Sequence, residues 1–359
     1  MNKDLFVVLM AGGVGTRFRP YSRNSKPKQF LDVLGTGKTL LQSTYDRFVP
    51  LCPKENILVV TNDEHAAITA QQLPELKPEQ ILTEPMRKNT APCIAYASYK
   101  IFQKNKNAVI VVSPADHLIL NERAFQDTIE KCFTYAQGQN NLVTLGIEPT
   151  RPETGYGYIQ YIDGSSSPLK KVKTFTEKPA LELAKKFIES GDFVWNSGIF
   201  IWGVQAILDA FANYLPEMTE VFEEAAPSFY TSGEKEAIQL AYSQCKNISI
   251  DYGIMEKADN VYVALSNFSW SDLGSWASLH DLADRDGSNN DIKADALIYD
   301  TKNSIVRGPD GKLIVVQGLD GYLVGVFENV VIVCEKDKED MFRKFVADVK
   351  GKSNGDRYI

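Results

Sequence analysis

The chain has 359 residues, 44% hydrophobic and 24% charged. That make-up supports a sizeable folded core, in one large domain or roughly two, and excludes global disorder. With 39 Lys and Arg against 46 Asp and Glu the net charge is −7, which argues against a nucleic-acid binder working through an overall basic field.

Residues 5–10 form a continuous apolar run, the pattern of a strand buried on both faces, and end in a glycine turn. The run is too short for a signal peptide, and no stretch approaches the ~18 apolar residues of a membrane span. Residues 57–60, 108–113 and 142–145 read as further buried strands. Between them lie helical patterns: Phe125, Ile129, Cys132, Phe133 and Ala136 share one face over 121–137, with Asn121 as N-cap. Alternating strands and helices imply an α/β fold with a mostly parallel sheet covered by helices. Strands at 158–162, 171–175 and 195–202 follow, mixed with helices near 181–190 and 204–213. Residues 284–291 are polar and rich in turn formers, and mark the expected domain boundary, giving 1–284 and 285–359. Short strands at 296–299, 304–306, 313–316, 322–326 and 330–333, then a helix over 337–349, predict a small β-rich C-terminal domain. The five cysteines are scattered and form no CxxC, so neither a zinc site nor a disulfide framework is expected, and a reducing cytoplasm fits. Of the three histidines, His117 reads as a supporting residue, and His65 and His280 as surface or helix residues.

The first strand runs into Ala11-Gly12-Gly13-Val14-Gly15-Thr16-Arg17. Glycines after a buried strand let backbone amides approach a phosphate closely. No Gly-Lys-Ser/Thr follows, and Phe18 stands where a dinucleotide fingerprint needs its third small residue. Arg17 and Lys28 instead put two cations beside the loop, which suits a triphosphate; a tight turn with two solvated cations is the plainer alternative. Asp116 follows the strand at 108–113, where ligands of open α/β sheets gather. It reads as a metal ligand or as a turn cap, and Asp272 as a second ligand or a helix start. Two such carboxylates suit Mg²⁺, with phosphate oxygens and water completing its shell. Lys178 reads as a phosphate contact or half of an exposed ion pair with Glu177, and Asp251 as a site residue or an N-cap.

Together with Pro20 and Pro27-Lys28-Gln29-Phe30, the glycine loop resembles the signature of the sugar-nucleotide nucleotidyltransferases, and within them the mannose-1-phosphate guanylyltransferase family. The resemblance continues in order through Glu84-Pro85, Asn89-Thr90-Ala91-Pro92, Ser113-Pro114-Ala115-Asp116-His117, Gly155-Tyr156-Gly157, Phe175-Thr176-Glu177-Lys178-Pro179, Asn196-Ser197-Gly198, Ile250-Asp251-Tyr252-Gly253 and Trp270-Ser271-Asp272-Leu273-Gly274. It departs at Arg87-Lys88, where the family has Gly-Arg, and at Arg19, where tryptophan is common. The resemblance implies a Rossmann-like, glycosyltransferase-A-like fold. It implies nucleotide contacts from Ala11, Gly12, Gly13, Gly15, Thr16, Arg17, Lys28, Glu84, Asn89, Thr90 and Pro114. Sugar contacts would come from Gly157, Glu177, Lys178, Asn196 and Asp251, and Mg²⁺ would sit on Asp116 and Asp272. The implied reaction joins GTP and mannose 1-phosphate into GDP-mannose and pyrophosphate, with Arg17, Lys28, Asp116, Lys178 and Asp272 as the catalytic set. A different nucleotide or sugar phosphate, or a non-catalytic nucleotide-sugar-binding subunit on the same fold, remain the alternatives. Bifunctional family members carry a further isomerase domain; the transferase alone is expected here, as a homodimer assembled through the C-terminal strands.

Overall fold

The computed structural model describes residues 1–13, 15, 18–164 and 167–359, except the side chains of Glu339 and Asp340. The chain divides into two compact units, Met1–Gly12 with Leu41–Trp270, and Gly13–Leu40 with Ser271–Ile359.

The first unit is built on β1 (Leu5–Met10), β2 (Ile57–Asn62), β3 (Ile81–Glu84), β4 (Val109–Pro114), the two-residue β5 (Leu118–Ile119), β6 (Leu142–Ile147), β7 (Tyr158–Tyr161), β8 (Leu169–Thr176), β9 (Phe193–Gly203) and β10 (Val261–Ser266). A short β11 (Trp270–Ser271) follows. Nine of the strands form one mixed sheet in the order β3-β2-β1-β4-β9-β6-β10-β8-β7. β1 pairs in parallel with β2 and β4, β2 with β3, and β6 with β10; β9 runs antiparallel between β4 and β6. The chain lays down β1, β2 and β3 toward one side, then returns to place β4 on the other side of β1. The order therefore reverses between β1 and β4, and such a reversal opens a crevice beyond the carboxyl ends of the strands.

The helices of this unit are α1 (Leu40–Phe48), α2 (Ala66–Gln72), α3 (Thr90–Lys104), α4 (Glu122–Ala136), α5 (Leu181–Ser190), α6 (Val204–Tyr214), α7 (Pro216–Ala225) and α8 (Glu234–Gln244). Phe6 and Val8 of β1 share a core with α3, α6, α7 and α8. In α4 the buried residues are Phe125, Ile129, Cys132, Phe133 and Ala136, the set chosen by helical spacing, and Asn121 caps it through the Ala124 amide at 3.0 Å. α7 and α8 were not anticipated. In α8 only Ile238, Ala241 and Tyr242 are buried, a stripe too narrow to stand out in the sequence.

The second unit holds β12 (Asp291–Lys293), β13 (Asp295–Tyr299), β14 (Ile305–Arg307), β15 (Leu313–Gln317), β16 (Tyr322–Phe327) and β17 (Val330–Glu335), with α9 (Trp276–Leu282) and α10 (Glu339–Lys350). The expected short strands are present, and most of them pair in parallel. β12, β14 and β16 are parallel neighbours in one sheet, β13 and β15 are parallel in another, and β17 alone joins antiparallel, to β16. The chain coils, giving a strand to each sheet in turn, and Val306, Ile314, Val316 and Val324 fill the space within.

The boundary expected at 285 falls inside this unit. The turn-rich segment is tightly bonded there: Asp286 Oδ1 accepts from the amides of Ser288 (2.9 Å) and Asn290 (2.8 Å), Asn290 bonds the Thr301 carbonyl at 2.9 Å, and Asp291 forms a buried ion pair with Arg307. Residues 13–40 belong to the same unit, with Tyr21 stacked on Phe327 (5.3 Å) and Phe18 against Trp276 (5.1 Å). Of the surface-or-helix reading of His65 and His280, the helix half holds: His65 ends a 3-10 turn and His280 lies in α9, both buried, with His280 Nε2 2.8 Å from the Asn289 carbonyl. All five cysteines are free. No helix among the described residues is long and apolar enough to cross a membrane.

Candidate active site

β1 and β4 end level, Met10 opposite Pro114, so the chain leaves both strands at the crevice. The Ala11 amide donates to the Val60 carbonyl (2.8 Å), and the Ala115 amide to that of Met10 (3.0 Å). Gly12 and Asp116 are thereby set at the same sheet edge. Gly12 also faces the end of β3: a Cβ at Gly12 would lie 3.2 Å from Glu84 Oε2.

Glu84 is buried, and the Tyr242 hydroxyl on α8 donates to its Oε1 at 3.0 Å. Burial pushes the Glu84 carboxyl up to about 7, against the lowering effect of the Tyr242 bond and the Arg87 charge. Asn89 takes a positive φ of 68° and its Oδ1 accepts from the Thr90 amide at 2.9 Å, opening α3. Thr90 Oγ1 accepts from the Ile250 amide at 2.9 Å. Thr90 thereby ties the start of α3 to the segment that leads into Asp251.

The β6–β9 register slips: Thr144 faces Phe200 and Gly146 faces Asn196, so β9 carries extra residues, with Gly198 at φ 70°. A bulge of this kind re-aims a side chain. Thr144 Oγ1 donates to Asn196 Oδ1 (2.9 Å), the Gly198 amide donates to the same oxygen (3.2 Å), and Asn196 Nδ2 donates to Asp251 Oδ1 (2.9 Å). Asp251 opens a single π-helical turn, Asp251–Met255, and is not its N-cap. Burial and the neighbouring Glu177 carboxylate push Asp251 up to about 6. Glu177 follows β8 and lies over Gly157, where a Cβ would collide with its Oε2. It pairs with Lys178, whose side chain is 57% exposed on a backbone of φ 47°. An amide and two carboxylates thus converge, a set able to receive several hydroxyl groups.

Asp116 is partly exposed, with His117 Nε2 at 3.9 Å. The Trp270 indole donates to His117 Nδ1 at 3.2 Å, and Tyr156 stands edge-on to Trp270 and to Trp195.

In the second unit, Gln29 Nε2 holds the Gly13 carbonyl (3.0 Å) and Ser22 Oγ that of Gly15 (2.5 Å). Gly15 has φ 55°, and a Cβ there would stand 2.9 Å from Lys28 Cβ. Lys28 is buried, and its amine donates to the carbonyls of Asp272 (2.6 Å) and Leu273 (3.2 Å). Asp272 Oδ1 accepts from the Gly274 amide at 2.8 Å. Thr16 and Arg17 lie outside the described residues.

No group of three or more His, Cys, Asp or Glu among the described residues makes a metal cage. Asp116, in the first unit, and Asp272, in the second, each carry hard carboxylate oxygens, the donor type that Mg²⁺ takes. The sequence did not single out Tyr242, Thr144, Ser22 or Gln29 as site residues. Each acts through a partner at a distance along the chain, for which a single sequence carries no signal.

Residues 6–289 match the family model described as nucleotidyl transferase. A mannose-1-phosphate guanylyltransferase of Escherichia coli is 35% identical over 357 residues, 96% of this chain and 76% of that protein. The xanthan biosynthesis protein XanB of Xanthomonas campestris is 35% identical over 354 residues, 97% of this chain and 73% of its own. A crystal structure from Thermus thermophilus, described as mannose-1-phosphate geranyltransferase, superposes with a TM-score of 0.87 at 31% identity, covering 97% of this chain and 100% of that one. With its sheet reversal, its glycine loop and these relatives, the chain belongs to the nucleotidyl transferase family and is an enzyme of the mannose-1-phosphate guanylyltransferase type.

Proposed function

We propose that the enzyme transfers a guanylyl group from GTP to mannose 1-phosphate, giving GDP-mannose and pyrophosphate. The sugar phosphate is ionised near neutral pH and attacks the α-phosphorus itself, so no protein nucleophile is needed. The work of the protein is positioning and charge neutralisation. In this reading Glu84 accepts from the guanine N–H groups, with Asn89, Thr90 and Pro114 shaping the base side. The Gly12–Gly15 loop amides, with Thr16, Arg17 and Lys28, hold the triphosphate, and Ala11 lines the same site. Asn196, Asp251, Glu177 and Gly157 seat the mannose hydroxyls, and Lys178 takes its phosphate. Asp116 and Asp272 would hold Mg²⁺, which neutralises charge on the phosphate oxygens when bound. Residues 1–284 carry the chemistry in this proposal; 285–359 serve packing and a homodimer, in the cytoplasm.

The observation that carries the reading lies within the first unit. Asp116 and Gly12 leave β4 and β1 at the sheet reversal, Glu84 closes β3 at the same edge, and Asn196 precedes the part of β9 that pairs with β4. In this reading Glu84 is the base-side carboxylate and the Asn196 cluster the sugar side. The test is a pyrophosphate-release panel of nucleoside triphosphates against mannose, glucose and fucose 1-phosphates. GTP with mannose 1-phosphate should be the best pair; a clear preference for another pair, or no release at all, overturns the proposal.

A further inference from the structure

We propose that Tyr242 is a specificity-positioning residue: its hydroxyl fixes the Glu84 carboxylate so that Oε2 faces the nucleobase site, and it sustains the charged form that reads guanine. The inference rests on the reading of Glu84 given above.

The geometry is asymmetric. Tyr242 donates to Oε1 at 3.0 Å, while Oε2 is the atom nearest Gly12, at 3.2 Å from where a Cβ would be. One oxygen is anchored from α8, and the other is left at the start of the glycine loop. Tyr242 and Glu84 are both buried, so neither side chain swings freely. A carboxylate is acceptor-only and matches the adjacent N1–H and N2–H donors of guanine; once protonated, one of its oxygens becomes a donor and the match is lost. The protonation state of Glu84 therefore decides which base is read.

The ionisable groups facing Glu84 are Tyr242 of α8, Cys93 of α3 and Arg87 before α3, while Cys245, just after α8, faces Tyr242. Burial pushes Tyr242 and Cys93 well up and Cys245 up to about 11, so all three stay neutral near pH 7. Only Arg87 and the Tyr242 hydroxyl favour the carboxylate, against a burial that raises it to about 7. Removing the hydroxyl leaves Arg87 alone.

The experiment uses the full chain with GTP or ITP, which lacks the 2-amino group, and saturating mannose 1-phosphate. KM for the nucleotide is followed across pH in wild type, Tyr242→Phe, Glu84→Gln and the double variant. Wild-type KM for GTP should rise below about pH 7, and Glu84→Gln should flatten that dependence. Tyr242→Phe should move the midpoint up by about half to one unit and cut the preference for GTP over ITP by about tenfold, with KM for mannose 1-phosphate unchanged. In the Glu84→Gln background it should add nothing. A wild-type midpoint and base preference in Tyr242→Phe, or an equal rise in KM for both substrates, overturns the role of Tyr242. If Tyr242→Phe does not fold, Tyr242→Leu serves, since it too lacks the hydroxyl. If Glu84→Gln leaves GTP use untouched, the base-reading role of Glu84 fails first, and this inference with it.

Discussion

The amine of Lys28 donates to the backbone carbonyl of Asp272 at 2.6 Å, and to that of the next residue, Leu273, at 3.2 Å. A cation beside the glycine loop thus also clamps the loop that carries an aspartate assigned to the metal. Lys28→Ala should lower turnover by about 10²-fold and raise the Mg²⁺ concentration needed for half-maximal rate, because the Asp272 backbone loses its anchor. A Mg²⁺ titration of both proteins checks this; the loss of two charge-assisted bonds should also cost about 2–3 kcal/mol of stability.

Asp116→Asn and Asp272→Asn should each reduce turnover by about 10²-fold or more with the fold intact, and excess EDTA should abolish activity. Circular dichroism with steady-state rates separates this from unfolding. Full activity in either variant removes that residue from the metal site.

Lys178 has a largely exposed side chain, paired only with its neighbour Glu177 among the ion pairs described. Lys178→Ala should raise KM for mannose 1-phosphate by about tenfold and leave KM for GTP near its wild-type value. Initial rates with each substrate varied in turn decide it.

Glu84 also makes a stability prediction. Its folded pKa of about 7 lies above the ordinary carboxylate value of 4.5, so folding favours the protonated form. The wild type should lose stability as pH rises from the unfolded value to the folded one, and lose no more beyond it. Glu84→Gln removes that penalty. At about pH 8 it should melt higher than wild type, by up to about 3 kcal/mol, and near pH 4.5 it should gain nothing. Thermal melts across pH without substrate measure the difference.

The proposed homodimer has a specific candidate surface. Leu297 and Val315 are cross-strand partners on the outer face of β13 and β15, 46% and 61% exposed, with Tyr299 and Leu313 beside them. Of the two C-terminal strands expected to make the contact, 323–327 and 330–333, the first has Leu323 and Val324 buried, whereas the second exposes Val331 and Val333. Val315→Glu should convert a dimer to a monomer in light scattering without lowering the melting temperature. A full-length monomer at micromolar concentration defeats the dimer itself.

Local patterning was legible wherever one side chain's environment depends on its neighbours in sequence. The apolar run at β1, the five spaced residues of α4 and the turn-bounded strands at the C-terminal end each carry their own periodicity. The motif residues were legible as residue types at fixed spacing. Tertiary structure alone decided which of them meet. Nothing near Glu84 announces Tyr242, nothing near Asn196 announces Thr144, and the polar run at 284–291 looks like a linker until Asp286, Asn290 and Asp291 find their partners. The physical reason is that a strand or helix is selected by short-range sterics and by which face is apolar. A hydrogen bond between residues far apart along the chain depends instead on sheet order, register and helix docking, which only the assembled core determines.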